Sequence, residues 1–160
     1  MRIVVHAVGR MKAGPERDLS ARYFERFAKA GSPLGLDFAG VKEMAESRAP
    51  DGARRKAEEA EPLLRMAADG AFLVLLDETG KSVTSADFAE RLASLRDEGP
   101  RDLVLAIGGP DGHDPALRGK AGMLLSFGRM TWPHQIARIL LAEQLYRACT
   151  ILSGHPYHRA

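Results

Sequence analysis

A bare stretch of backbone follows an apolar segment in LVLAIGGPDGHD, residues 103–114. Because glycine has no side chain, Gly108 and Gly109 would let a flat ligand such as adenine lie directly against main-chain N–H and C=O groups. The same residues are also explained by a tight turn in which Pro110 fixes the backbone. The motif by itself leaves both interpretations open.

Two common phosphate-binding motifs are absent from this stretch. IGGPDG is neither GxGxxG nor GxxxxGK[ST], and no lysine or serine stands in it to hold a phosphate. This weighs against a flavodoxin-like nucleotide-binding module. Asp111 has the chemistry of a general base, but a single acidic residue beside glycines is more typical of a cap or a turn.

Strands alternate with helices along the whole chain. We predict strands at 2–8, 34–41, 72–76, 103–107 and 123–127, and helices at 15–29 and 53–68, the second kinked or restarted at Pro62. Thr84 and Asp87 are spaced as a capping box for a third helix, Asp114 and Pro115 begin a fourth, and the last runs from near Pro133 to Gly154.

The predicted strands are continuous apolar runs, which indicates that helices cover both faces of the sheet. The fold class is therefore α/β with a mostly parallel sheet. Ligands of such sheets bind outside the carboxyl ends of the strands. The loops after Leu76, Ile107 and Phe127 are where we expect the chemistry.

Length and composition set broad limits. The 160 residues suit a single domain, and a formal charge of +2 is too small for a protein that binds nucleic acid by charge alone. Cys149 is the only cysteine, so neither an intramolecular disulfide nor a thiolate metal cluster can form. With no apparent signal peptide and no apolar run long enough for a membrane helix, we expect a cytosolic protein.

Five motifs spread over the chain in order carry a resemblance. They are RIVVHAVGRMK, LLDETGK, IGGPDGH, MTWPHQIARILLAEQLYRA and HPYHR. Together they resemble the SPOUT-class methyltransferases, specifically the small bacterial pseudouridine N3-methyltransferases of the large ribosomal subunit. IGGPDG alone would be weak, whereas the five together are highly specific.

The resemblance implies a trefoil knot in the C-terminal part of the fold, an exception to the near-absence of knots in proteins. It also implies an S-adenosylmethionine pocket made by the knot loops, an obligate homodimer, and methylation of N3 of a pseudouridine in a helical-hairpin loop of 23S rRNA. Such a methyl transfer requires no metal.

Carried over by position, the resemblance implies two sets of site residues. The cofactor contacts would be Leu76, Gly109, Gly128, Arg129, Met130, Thr131, Trp132 and Pro133. In the C-terminal tail, residues 155–160, Tyr157 would stack on the base while His158 and Arg159 hold it, and neutral His158 is the first candidate to accept the N3 proton.

Recognition of the RNA needs more surface than one small subunit offers. We expect the assembled ribosome to be the substrate, with one subunit holding the cofactor while the other grips the RNA. The basic residues that could contact phosphates are Arg10, Lys12, Arg17, Arg22 and Arg26. The alternatives are a SPOUT methyltransferase acting on tRNA and a non-catalytic ribosome-binding factor of the same fold.

Three further interpretations are structural. His6 lies in an apolar strand and is expected to be a core histidine with satisfied hydrogen bonds. His134 is expected to make local hydrogen bonds at the start of the last helix. Glu143 and Arg147 are four residues apart, which predicts an ion pair within that helix.

Overall fold

A computed structural model describes residues 1–158 of the chain as alternating strands and helices. The strands are β1 (Arg2–Val8), β2 (Asp37–Met44), β3 (Phe72–Lys81), β4 (Asp102–Ile107) and β5 (Met123–Leu125). The helices are α1 (Pro15–Gly31), α2 (Gly52–Ala68), α3 (Ser85–Glu98), α4 (Pro115–Arg118) and α5 (His134–Leu152).

The strands form one sheet in the order β2-β1-β4-β3-β5, and each neighbouring pair is parallel. Arg2 at the start of β1 lies opposite both Asp37 of β2 and Asp102 of β4. The carboxyl ends of the strands therefore meet at one edge of the sheet. The predicted α/β class with a mostly parallel sheet is confirmed.

Helices cover both faces of the sheet, as the continuous apolar runs predicted. Helices α1, α3 and α5 bury Phe27, Leu92 and Leu145 against one face. Helices α2 and α4 bury Leu63 and Leu117 against the other. Consecutive β1 residues alternate between the two layers, because successive side chains in a strand point to opposite faces.

Several element bounds differ from the prediction. A 3₁₀ turn over Ser32–Leu34 and a left-handed Gly35, with φ of 72°, delay the start of β2 to Asp37. Pro62 lies within the single helix α2 and begins no second piece. Strand β5 is shorter than predicted, and β3 continues five residues beyond Leu76. The polar sequence DETGK, residues 77–81, is more typical of a loop.

The extension of β3 arches around the end of β5. Leu76 and Lys81 both lie opposite Leu125, and the N–H of Ser126 donates to the carbonyl of Lys81 over 3.1 Å. A Cβ placed on Gly80 would lie 2.7 Å from the carbonyl carbon of Leu124 and 2.8 Å from the nitrogen of Leu125. Only a residue without a side chain can cross the neighbouring backbone so closely. The trefoil knot stays a prediction.

We predict that Gly80→Ala lowers the free energy of unfolding by about 2 kcal/mol, because the added methyl group would push against main chain rather than against a movable side chain. Urea unfolding followed by circular dichroism measures the change. Gly119→Ala is the matched control, since its Cβ would meet nothing nearer than 3.6 Å. Equal stability of the two variants would contradict the close crossing.

Candidate active site

The carboxyl ends of β3, β4 and β5 surround a cavity of about 720 Å³. Its walls come from residues of three chain segments, 76–79, 107–113 and 127–134, together with Lys56, Arg118, Leu125 and Ala137. Two of these segments are the predicted loops after Ile107 and Phe127, and the third, predicted as a loop after Leu76, is part of the extension of β3. The parallel sheet brings them together because all three leave it at the same edge.

Seven of the eight residues predicted to contact a cofactor line this cavity. They are Leu76, Gly109, Gly128, Met130, Thr131, Trp132 and Pro133. Arg129 is exposed and is not among the lining residues. The cavity also has lining residues that the motifs did not single out for a role: Lys56, Asp77, His113, Arg118 and His134.

A buried histidine supports the glycine loop, residues 108–112, which follows β4. His113 is 9% exposed, and its Nε2 lies 3.1 Å from the carbonyl oxygen of Leu76. Because a carbonyl only accepts, Nε2 carries the proton in this contact. Burial lowers the pKa of His113 below its usual value, which keeps the imidazole neutral. A Cβ on Gly108 would lie 3.1 Å from this ring, so a side chain there would crowd the histidine.

Gly109 packs against the neighbouring helix rather than leaving room for a ligand. A Cβ on Gly109 would lie 2.8 Å from Oε2 of Glu59 and 3.1 Å from Cγ1 of Val8. Glu59 is buried, burial raises its pKa, and it accepts a hydrogen bond from the N–H of Ser47 over 2.9 Å. The tight-turn interpretation also holds, since the N–H of Gly112 donates to the carbonyl of Gly109 over 3.0 Å. A bare backbone here is therefore explained without a ligand.

Gly128 has a different environment. Its φ is +115°, and a Cβ placed there would meet no atom within 4 Å. Oγ of Ser126 accepts from the N–H of Gly128 over 3.1 Å and lies 2.9 Å from its carbonyl oxygen. Gly128 thus lines the cavity with open space in place of a side chain, and Ser126 holds its backbone.

A charged network lies along one side of the cavity. Asp77 accepts from the N–H of Thr79 over 2.9 Å and from Nη1 of Arg118 over 2.7 Å. Burial opposes the charge on Asp77, but the hydrogen bonds from Thr79 and the charge of Arg118 lower its pKa on balance. Nη2 of Arg118 also donates to the hydroxyl of Thr79 over 2.9 Å. The cavity therefore presents a fixed carboxylate beside a guanidinium.

Asp111 is engaged in an ion pair. Its carboxylate accepts from Nε of Arg55 over 2.6 Å and from Nη2 over 3.1 Å. The hydrogen bond from Arg55 lowers the pKa of Asp111. This pairing ties the glycine loop to α2 and makes Asp111 a weaker base, so its role is that of a loop anchor.

The first part of α5 is anchored to β2 and to the residue that follows β1. Arg138 is 3% exposed, forms an ion pair with Glu43 of β2, and donates from Nη2 to the carbonyl of Gly9 over 2.9 Å. His134 stands one turn earlier and lines the cavity. The buried arginine therefore fixes where the 128–133 loop enters the helix.

A second cavity, of about 410 Å³, adjoins the first. The two share Leu125, Phe127, Gly128 and Trp132 as lining residues. The remaining walls of the second cavity come from residues 82–85 and 88 around the start of α3, from Ser126, and from Leu140 and Gln144 of α5. The 125–132 segment thus contributes to the walls of both spaces.

The described part of the tail is docked on α5. The hydroxyl of Tyr157 donates to Oε1 of Glu143 over 3.1 Å, and its ring packs edge-on against Tyr146 with centroids 4.9 Å apart. Nδ1 of His158 lies 3.4 Å from Nη1 of Arg147. Burial and hydrogen bonding raise the pKa of Tyr157. Neither Tyr157 nor His158 lines the two cavities, and Arg159 lies outside the described residues.

One structural expectation was met in full and a second in part. The predicted ion pair is present, with Nη2 of Arg147 2.6 Å from Oε1 of Glu143. His6 is buried at 3% exposure, but its Nδ1 has no hydrogen-bond partner within residues 1–158, so the expectation of satisfied hydrogen bonds was wrong.

His134 makes none of the side-chain hydrogen bonds found in the described part of the chain and lines the first cavity instead. Of the basic N-terminal residues, Arg26 lies over the rings of Tyr23 and Tyr146, at 5.7 and 5.8 Å from their centroids.

Among residues 1–158, no helix combines the length and apolar character that a membrane span requires. The same residues contain no group of three or more His, Cys, Asp or Glu side chains placed to bind a metal ion.

Comparison with known proteins gives consistent results. The family model described as "Predicted SPOUT methyltransferase" matches residues 1–158. A ribosomal RNA large subunit methyltransferase H from Brucella anthropi is 63% identical over 160 residues, covering all of both chains. Proteins of the same name from Rhizobium meliloti and Mesorhizobium japonicum are 62% and 60% identical over 160 residues, again covering all of both chains.

One solved structure is a distant neighbour. The SpoU methyltransferase AviRb from Streptomyces viridochromogenes, in complex with the cofactor AdoMet, matches 96% of this chain and 61% of that chain, with 14% identity and a TM-score of 0.37. The family model and the full-length relatives decide the assignment and confirm the resemblance found in the sequence motifs. The chain belongs to the SPOUT methyltransferase family.

Proposed function

We propose that this protein uses S-adenosylmethionine to methylate N3 of a pseudouridine in a hairpin loop of 23S rRNA, in the cytoplasm. The observation that carries the proposal is the cavity formed by three loops at the carboxyl ends of β3, β4 and β5. The names of the full-length relatives support large-subunit ribosomal RNA as the substrate class.

The first cavity has the lining that S-adenosylmethionine needs. Leu76, Leu125 and Phe127 offer an apolar surface for adenine, and the open space beside Gly128 leaves room for a ligand. The carboxylate of Asp77 suits an ammonium group, and Lys56 suits a carboxylate. The amino-acid part of the cofactor carries both of these charges.

Methyl transfer makes defined demands on the chain. Bound S-adenosylmethionine supplies an electrophilic methyl group on a sulfonium. N3 must lose its proton, the bond from N3 to the methyl carbon forms, and the bond from that carbon to sulfur breaks. The chain must therefore align N3 with the methyl group and accept the proton.

The tail supplies the groups suited to the base. Tyr157 offers a ring for stacking, the cations of Arg159 and Arg147 suit the charge that N3 develops as its proton leaves, and His158 is the proposed proton acceptor. Because Tyr157 and His158 do not line their own subunit's cavities, a second subunit is part of the proposal.

We propose an obligate homodimer. Ile136 and Ile139 of α5 are half-buried, and the nearby Met130 is exposed at 74%. Large apolar side chains on one side of a helix and its entry loop are typical of a surface that a partner covers. One subunit would hold the cofactor while its partner grips the RNA.

We predict that the purified protein methylates intact ribosomes and not free 23S rRNA, because the particle's shape supplies contacts that naked RNA lacks. Ribosomes should come from cells without this protein, with labelled S-adenosylmethionine as donor and mass spectrometry to map the product. Equal methylation of free rRNA would contradict this. Label in tRNA would support the tRNA alternative, and no cofactor uptake in calorimetry would support the non-catalytic factor.

We predict that Gly128→Val raises the Kd for S-adenosylmethionine at least about tenfold, because the variant adds a branched side chain at a wall of the first cavity. Calorimetry measures the change. Gly40→Val is the matched control, since Gly40 also has positive φ, at +98°, with nothing within 4 Å of its Cβ, and lies on β2 away from the cavity. Similar weakening of binding in both variants would remove Gly128 from the cofactor site.

We predict that His158→Ala lowers the single-turnover methylation rate about 100-fold while the Kd for S-adenosylmethionine stays unchanged, as loss of a proton acceptor should. His155→Asn is the control, since an asparagine oxygen can replace Nδ1 of His155 as acceptor for the N–H of Tyr157, now 3.1 Å apart. A fully active His158→Ala enzyme would leave the tail with a structural role only.

A further inference from the structure

The side-chain amide of Gln144 is held in one orientation. Its Nε2 donates to Oε2 of Glu143 over 2.8 Å, and its Oε1 accepts from the hydroxyl of Ser85 over 2.8 Å. A carboxylate only accepts hydrogen bonds, so the amide nitrogen must face Glu143 and the amide oxygen must face Ser85. The orientation of the amide is therefore fixed by its neighbours.

This amide has unused hydrogen-bonding capacity at the second cavity. One N–H of Nε2 and one lone pair of Oε1 remain after the bonds to Glu143 and Ser85. Gln144 lines the second cavity together with Phe88, Phe127 and Leu140. A donor and an acceptor side by side in a mainly apolar space can recognise the edge of a flat heterocycle.

The position of the second cavity suits a base that reacts with the cofactor. It shares Leu125, Phe127, Gly128 and Trp132 with the first cavity. Atoms that are about to react must lie about 3–3.5 Å apart, so the target base must bind in a space that opens onto the cofactor cavity. The exposed ring of Trp132 stands at that boundary and can stack on a base.

We infer that the second cavity receives the target base and that Gln144 reads its N1–H and O2 edge. This inference rests on the proposed function. In pseudouridine the sugar is attached through carbon, so N1 keeps a hydrogen next to the C2 carbonyl. N1–H can donate to Oε1 of Gln144 while Nε2 donates to O2, which leaves N3 free to face the methyl donor.

The same contacts would make Gln144 a specificity-determining residue. Uridine carries its sugar on N1, so it has no N1–H for the remaining lone pair of Oε1, and its sugar would stand where Oε1 approaches. A site built to pair with a substrate N–H rejects the analogue that lacks it, because that hydrogen bond is lost and part of the capacity of its own polar group stays unused. The amide would favour pseudouridine over uridine.

The tail reaches this amide through a single carboxylate. Tyr157 donates to Oε1 of Glu143, and Oε2 of the same side chain accepts from Gln144. Arg147 holds Oε1 as well, with Nη2 at 2.6 Å. The docked tail therefore helps to fix the carboxylate that orients the reading group.

The test compares Gln144→Met with wild type on two ribosomal substrates, one with pseudouridine and one with uridine at the target position. We expect wild type to prefer pseudouridine. The variant should lose at least about tenfold in kcat/KM on pseudouridine, keep its rate on uridine and keep its Kd for S-adenosylmethionine. Gln135→Met is the matched control, since Gln135 is half-buried on the same helix and lines neither cavity.

Other results would overturn the inference. A Gln144→Met enzyme that keeps the wild-type preference, or a wild type without preference, would remove Gln144 from base recognition. If Gln144→Met does not fold, Gln144→Ala tests the same edge by removing the amide without adding a larger side chain, and an unchanged preference there has the same meaning. A wild type that binds cofactor but methylates neither ribosome would instead overturn the proposed function, and the inference with it.

Discussion

The close crossing of two chain segments at Gly80 is the constraint on which the site depends. The backbone of Gly80 passes so near Leu124 and Leu125 that a Cβ would lie within 2.8 Å of their main-chain atoms. This contact holds the extension of β3 around the end of β5, where the hydroxyl of Ser126 lies 3.2 Å from the carbonyl of Glu78. Two cavity walls, 76–79 and 127–134, are thereby fixed against each other.

A second constraint is the sharing of one carboxylate along α5. Glu143 accepts from Arg147 and Tyr157 at Oε1 and from Gln144 at Oε2. The intrahelical ion pair alone would be worth only a few tenths of a kcal/mol on an exposed helix. Here the same carboxylate also joins the tail to Gln144 in the wall of its own subunit's second cavity.

The glycines show why residue type does not reveal a role. Gly108 and Gly109 form the motif that first suggested a ligand, yet side chains there would meet His113 and Glu59 of the protein itself. Gly128 belongs to a less conspicuous stretch of sequence, and its Cβ direction is open. In all three cases a side chain is missing, but neighbouring side chains explain it at Gly108 and Gly109, whereas the positive φ of +115° explains it at Gly128.

Local sequence patterns correctly predicted the features that depend on residues close together along the chain. The bounds of β1, the capping box of Thr84 and Asp87, and the ion pair of Glu143 and Arg147 are all present as predicted. The apolar runs likewise predicted a parallel sheet with both faces covered, and the ordered motifs predicted the family.

Contacts between residues far apart in the sequence could be identified only from the folded structure. The return of β3 against β5, the pairing of Arg118 with Asp77 41 positions away, and the bond from Ser85 to Gln144 59 positions away leave no local pattern. The physical reason is that periodicity and capping reflect the conformation of a few consecutive residues. The partner of a polar side chain is set by which segments the sheet brings together.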